Sequence, residues 1–325
     1  MRGPIVLTAS FLSLLGLGVL GASMQSPVSQ GSQGETAPGA LERLDPGTFP
    51  DEWIHGGDCA NDPLIQRHAY NDDLYILRQS KCDTGEAPFL FLIFGDDRAL
   101  LIDSGAKRTS PVKGTVDRIV DEWLARKGKT SIDLIQGHSH SHGDHIAGDQ
   151  QFAGQPGVTH VGHGVANVQA FYGIASWPDD VGALDLGGRV LDVLATPGHK
   201  DDSVTFYDRR TGLLFTGDIV YPGHLFVFTQ AEWPDFQKSL ARLDEWAKSH
   251  PVSHVLGCHV EYSAVPGVPY RYGTSVQPDE HVLQLAPSVL GKIRTAAEAM
   301  GATPQCKVFD EFVIQPVWLC GIGFN

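Results

Sequence analysis

The feature that most constrains the fold is a unit that occurs twice. Ala99-Leu-Leu-Ile-Asp103-Ser-Gly105 is a short apolar run ending in Asp, followed by a helical stripe and then by Asp133-Leu-Ile-Gln-Gly-His138. Leu213-Leu-Phe-Thr-Gly-Asp218 also ends in Asp, and is followed by a second helical stripe and Ser253-His-Val-Leu-Gly-Cys-His259. Both halves read strand, Asp, helix, strand, His. A duplicated half, with both sets of strand ends facing one site, gives this order. Two unrelated αβ units would give it too, and the order alone leaves both open.

The rest of the chain fits the same class. Apolar runs of a few residues at 89–94, 99–102, 134–135, 190–194, 204–207, 213–215 and 254–256 have the length of buried strands. Val116, Ile119, Val120, Trp123 and Leu124 form a helical stripe over 115–126, and Phe236, Leu240, Leu243 and Trp246 form another over 232–249. A third helix is expected over 279–300, with Pro287 bending or breaking it. Strands alternating with helices define an α/β protein.

The chemistry is concentrated in His138-Ser-His140-Ser-His142-Gly-Asp144-His145, four His and one Asp in eight residues. Imidazole and carboxylate suit zinc and similar borderline metals. In an extended stretch His140 and His142 point the same way and can grip one ion. Asp144 and His145, after the permissive Gly143, can turn toward another. A solvated His-rich tract would need no partners elsewhere, yet this chain supplies them. His199 in Thr196-Pro-Gly-His199, Asp218 and His259 each follow a short apolar run, where loops on a rigid scaffold carry function.

These five ordered motifs, over roughly residues 65 to 262, resemble the metallo-β-lactamase-fold hydrolases, with a motif set like that of glyoxalase II. The resemblance implies a four-layer αββα sandwich with metals at the edge between two sheets. It implies one zinc on His140, His142 and His199, a second on Asp144, His145 and His259, and Asp218 bridging them. Iron or manganese could replace zinc. Asp103 would orient a ligand His, and His138 matches no ligand position. A hydroxide held by two zinc ions exists near neutral pH because metal binding lowers the pKa of water from 15.7 to about 7. It would attack a carbonyl carbon, with Asp144 holding or receiving its proton.

Asp218 bears on the substrate. The best-known secreted lactamases carry Cys in place of a bridging Asp, so the resemblance points to esters, thioesters, lactones or lactams generally. A secreted β-lactamase proper stays open, as do an iron sulfur dioxygenase and a zinc-binding module without activity. Diiron reductases of this fold have an acidic residue where this chain has His142. Tyr221, His224, His163, the 270–272 segment and the 279–281 segment are candidate pocket residues, although packing or surface roles suit each better. His55, His68, His250 and His254 read as structural or exposed.

Residues 1–23 have Arg2, an apolar run and a small-residue exit, the parts of a cleaved signal peptide. The run includes Gly, Ser and Thr and is barely long enough to span ~30 Å of hydrocarbon, so no stable membrane anchor is expected. Residues 24–45 are largely Ser, Gln, Gly and Pro and read as a flexible linker, leaving 46–325 as the hydrolase domain with a helix-and-strand extension from about 279. The expected location is secreted or periplasmic, where disulfides are permitted. Pairing Cys59 with Cys82 and Cys306 with Cys320 would leave Cys258 free. With 24 Lys and Arg against 38 Asp and Glu, the formal charge is −14. Such a surface repels phosphate backbones, so the expected partner is a small-molecule substrate and not nucleic acid.

Overall fold

The computed structural model describes residues 44–323. The proposed signal peptide and nearly all of the linker lie outside the described residues. Among those described, no helix is long and apolar enough to cross a membrane.

In chain order the first half holds β1 (Ile65–Asn71), β2 (Leu74–Gln79), β3 (Phe89–Phe94), β4 (Arg98–Ile102), α1 (Val112–Lys127), β5 (Asp133–Gly137), α2 (Gly143–Ile146), β6 (Val158–His160) and α3 (Val165–Tyr172). The second holds β7 (Val181–Asp185), β8 (Val190–Ala195), β9 (Val204–Asp208), β10 (Leu213–Gly217), β11 (His224–Val227), α4 (Trp233–Ser249) and β12 (His254–Gly257). Then come β13 (Gln284–Leu285), α5 (Ser288–Met300), β14 (Lys307–Val308), β15 (Val313–Pro316) and α6 (Val317–Cys320).

Two six-stranded sheets result, ordered β1-β2-β3-β4-β5-β6 and β13-β12-β10-β9-β8-β7, with β11-β15-β14 as a small third sheet. The layers follow from side-chain alternation along strands buried on both faces. Phe89, Phe91 and Ile93 of β3 join the core between the sheets, with Val193, Phe206, Leu213 and Phe215 from the other side. Leu90, Leu92 and Phe94 face the opposite way, onto Val116, Ile119 and Trp123 of α1. Beyond the second sheet, Leu194, Leu214 and Val255 pack on Phe236, Leu240 and Leu243 of α4 and Leu290 and Ile293 of α5. The order is helix, sheet, sheet, helix: the αββα sandwich.

The two halves match in pairing as well as in order. β4 runs parallel to β5 with Ile102 opposite Gly137, and β10 runs parallel to β12 with Gly217 opposite Gly257. Asp103 and His138 therefore leave neighbouring strand ends, as Asp218 and Cys258-His259 do. The disulfides Cys59–Cys82 and Cys306–Cys320 are formed, and Cys258 is a buried free thiol.

The expected helix over 279–300 is corrected. Only Ser288–Met300 is helical, with Pro287 as its N-terminal cap residue, and Gln284–Leu285 pairs with β12 instead. Proline fits the start of a helix, but its ring disfavours the α conformation for the residue before it. The segment also alternates, with Leu283 and Leu285 buried and Val282 exposed, the period of a strand. The stretch after about 279 is thus built into the sandwich: β13 extends the second sheet, and β15 pairs with β11.

Candidate metal centre

Four strand ends deliver the site. β5 leads into His138–His142, and the single turn of α2 carries Asp144 and His145. β8 leads to His199, β10 to Asp218 and β12 to His259. Gly217 has φ +56, and a Cβ there would lie 2.8 Å from that of Ser139. Only glycine lets the Asp218 strand end approach the His138–His142 loop so closely.

All seven residues expected to hold metal converge. Two groups have their ligand atoms mutually within 4.8 Å: His140, His142 and His199, and Asp144, His145, Asp218 and His259. In the first, His142 Nδ1 lies 3.1 Å from His140 Nε2 and 2.9 Å from His199 Nε2. In the second, Asp144 Oδ2 lies 3.2 Å from Nε2 of both His145 and His259. Asp218, a member of the second group, also faces the first. Its Oδ2 is 3.3 and 3.5 Å from Nε2 of His145 and His259, and 3.6 and 3.8 Å from Nε2 of His199 and His140.

The donor set fits zinc. Tetrahedral bonds of 2.0–2.1 Å put neighbouring ligand atoms about 3.3–3.4 Å apart, within the spread just given. Proton positions argue the same way. His199 Nδ1 lies 3.0 Å from the Phe226 carbonyl, so it carries the proton and Nε2 is a bare lone pair. Ser139 Oγ donates to Asp103 Oδ2 at 2.8 Å, so it accepts from His140 Nδ1 at 3.1 Å, leaving His140 Nε2 bare as well. A proton on His142 Nδ1 can satisfy only one of these neighbours, whereas a cation satisfies all three. Buried Asp218 Oδ1 has no hydrogen-bond partner among the described residues, a cost that a cation would remove.

Electrostatics separates the groups. Burial lowers the pKa of His140, and His145 adds to that; burial takes His199 down to about 4; His142 is lowered chiefly by burial. All three are neutral near pH 7, as metal ligands must be. Burial also opposes charge on His145 and His259, but Asp144 and Asp218 outweigh it, raising His145 and bringing His259 to about 9. Those imidazolium ions, in turn, hold Asp144 and Asp218 well below the usual carboxylate range despite their burial.

Behind the site, Asp103 is fully buried at φ +67. Its Oδ2 accepts from His145 Nδ1 at 2.9 Å and its Oδ1 from the Ser139 backbone N–H at 2.7 Å. Cys258 turns away from His259's side of the chain, its thiol 3.2 Å from Asp103 Oδ2. The Glu86 carbonyl supports His259 through Nδ1 at 3.1 Å.

A cavity of about 300 Å³ opens over the site, lined also by Glu86, Glu261, Tyr221, Phe226, Phe228 and Tyr272. Tyr221 and Tyr272 are thus brought to it from the candidate pocket residues. His224 is not: it is buried and bonds Gln315 and the Tyr270 carbonyl. Tyr270 bonds Asp279, Glu280 forms a buried pair with Arg78, and His281 bonds the Val282 carbonyl, all outside the cavity lining. His138 and His163 contact Asp149 at 2.9 and 2.7 Å, in a separate cluster with His160. Sequence reasoning missed Glu86, Glu261, Phe226, Phe228 and that Asp149 cluster. Glu261 alone left a readable signal, since it stands two positions beyond His259 in an extended segment and so shares its side.

The sequence profile of the metallo-beta-lactamase superfamily matches residues 84–254, more than half of the chain, and the chain belongs to that superfamily. It is a metal-dependent hydrolase of that class. A hydroxyacylglutathione hydrolase of Aeromonas hydrophila is 28% identical over 236 residues, covering 71% of this chain and 77% of that protein. The human acyl-coenzyme A thioesterase MBLAC2 is 23% identical over 219 residues, 58% of this chain and 78% of its own. A metallo-beta-lactamase structure from Pontibacter korlensis aligns with TM-score 0.47 at 16% identity, over 72% of this chain and 99% of its own.

Proposed function

We propose that the protein is an exported, dinuclear zinc hydrolase acting on a small carbonyl substrate: an ester, thioester, lactone or lactam. The observation that carries this reading is Asp218 Oδ2, within 3.3–3.8 Å of four imidazole nitrogens drawn from both ligand groups. One carboxylate shared by two such groups is suited to holding two cations side by side. His140, His142 and His199 would hold one ion, Asp144, His145 and His259 the other, with Asp218 between them.

When bound, the ions supply an activated water and positive charge against the developing oxyanion. The chain's own residues do the rest. Asp103 fixes His145 with Nε2 toward the site, and the Glu86 carbonyl does the same for His259. Asp144, partly open to the cavity, is placed to orient the attacking water and take its proton. The water oxygen bonds to the carbonyl carbon, the acyl bond to sulfur, oxygen or nitrogen breaks, and the leaving atom takes up the proton. Phe226 and Phe228 form an apolar wall that limits water on one side.

Thioesters are the first substrates to test, because the two relatives named above act on them. Export rests on residues 1–23 and suits a chain with two disulfides. A chromogenic panel of esters, thioesters, lactones and lactams, with and without chelator, tests the activity. Turnover that chelator abolishes and zinc restores is expected; turnover indifferent to chelator would overturn the reading.

A further inference from the structure

The cavity wall differs from what an anionic carrier group would need. Of the residues lining it, none is Arg or Lys, while Glu86 and Glu261 both are present. Glu261 is nine-tenths buried; its Oε2 lies 3.2 Å from the Tyr221 hydroxyl and 3.3 Å from the His224 backbone N–H. Its Oε1 has no partner among the hydrogen bonds and ion pairs of the described residues and is not among their sealed polar atoms, so it is open to a ligand. Glu86 Oε1 accepts from the Tyr272 hydroxyl at 2.8 Å.

Aromatic faces complete the wall. The Tyr272 ring stands edge-on to Phe226 at 5.7 Å, Phe226 lies 6.0 Å from Phe228, and Phe228 sits 5.2 Å from His142. On the other side Tyr221 lies 5.8 Å from His259. Carboxylates set among aromatic rings attract a cation both by charge and through the ring quadrupoles. Arg78 and Lys81 are coupled to each other and to acidic groups on this side of the molecule. Arg78 is taken up by Glu280. Lys81 is buried, feels both Glu86 and Glu261, lies outside the cavity lining, and offsets part of their charge.

We propose that this wall, with Glu261 as its anchor and Glu86, Tyr221, Tyr272 and Phe226 around it, is a subsite for an ammonium group on the substrate. The protein then prefers carbonyl substrates that bear a cation over those on anionic carriers. The inference rests on the hydrolase reading above, and it deepens it by naming the charge of the substrate.

The test is a matched thioester series with one acyl group on three thiols: thiocholine (cationic), N-acetylcysteamine (neutral) and 3-mercaptopropionate (anionic). With zinc-loaded protein, kcat/KM is expected to fall in that order, with the cationic member favoured over the anionic by about tenfold or more. Glu261→Gln should shrink that ratio several-fold, chiefly through KM, and Lys81→Met should enlarge it. Calorimetry with tetramethylammonium should show binding to the zinc-loaded protein that Glu261→Gln weakens. Equal rates for the three thioesters, or preference for the anionic one, would overturn the proposal. If no thioester is turned over, the hydrolase reading fails for this class, and calorimetry still decides the subsite: absence of tetramethylammonium binding would overturn it.

Discussion

Asp103→Asn is the most informative single substitution. Asp103 sits at φ +67, a conformation that Asn tolerates and Ala does not, so the backbone need not move. The carboxylate currently accepts from Ser139 N–H, Ser139 Oγ and His145 Nδ1 at 2.7, 2.8 and 2.9 Å. An Asn can keep the first with its amide oxygen but presents N–H₂ to the others. His145 must then carry its proton on Nε2, the atom 3.2 Å from Asp144 and 3.3 Å from Asp218, and a protonated nitrogen cannot bind metal. Loss of such a supporting carboxylate costs about 10–100-fold in metal affinity, or about 1.4–2.7 kcal/mol. A competitive titration against a chromophoric chelator should resolve one weakened zinc equivalent and one nearly unchanged. Circular dichroism should show the native fold. Wild-type affinity for both equivalents in Asp103→Asn would refute the role given to Asp103.

Further outcomes follow from the same geometry. Asp218→Ala should abolish tight binding of both equivalents together with turnover, because its carboxylate reaches both ligand groups; full activity at limiting zinc would contradict this. In metal-free protein His259 stays protonated up to about pH 9, and His145 is raised as well, so metal uptake at pH 7.5 must expel those protons. Zinc added to apo-protein in weak buffer should release about two protons from these imidazoles, with apparent affinity rising with pH up to about 9; titration without acidification would argue against it. Glu280→Ala strands the buried guanidinium of Arg78 and should cost about 3–5 kcal/mol in urea unfolding. Reducing Cys59–Cys82, which closes a separation of 23 residues, should cost about 3 kcal/mol by loop entropy, read as a lowered denaturation midpoint.

Much of this site could be read from the chain because its parts are local. Five of the seven ligand candidates are imidazoles; three of these share the segment 138–145, and His199, Asp218 and His259 each follow a short apolar run, so strand ends and ligands were visible together. The strand–Asp–helix–strand–His order in both halves anticipated the paired parallel strands that bring Asp103 and Asp218 to one edge. What stayed hidden depends on distant pairing. Glu86 lies in a loop with no periodicity, and its contacts at the cavity, its carbonyl with His259 and its carboxylate with Tyr272, are made far along the chain. Phe226 and Phe228 carry no ligand chemistry to mark them in the sequence, yet both line the cavity, and Phe228, just past β11, meets the rings of His142 and His199. The helix expected from Asp279 failed because charge and apolar spacing there suit two periods, and the ring of Pro287 with β12's open edge decided for a strand.

The central claim, one dinuclear centre bridged by Asp218, is tested most directly by metal analysis of the purified chain with native mass spectrometry. The account predicts two zinc ions per chain, lost together from Asp218→Ala. A single iron per chain, or two ions retained without Asp218, would contradict it.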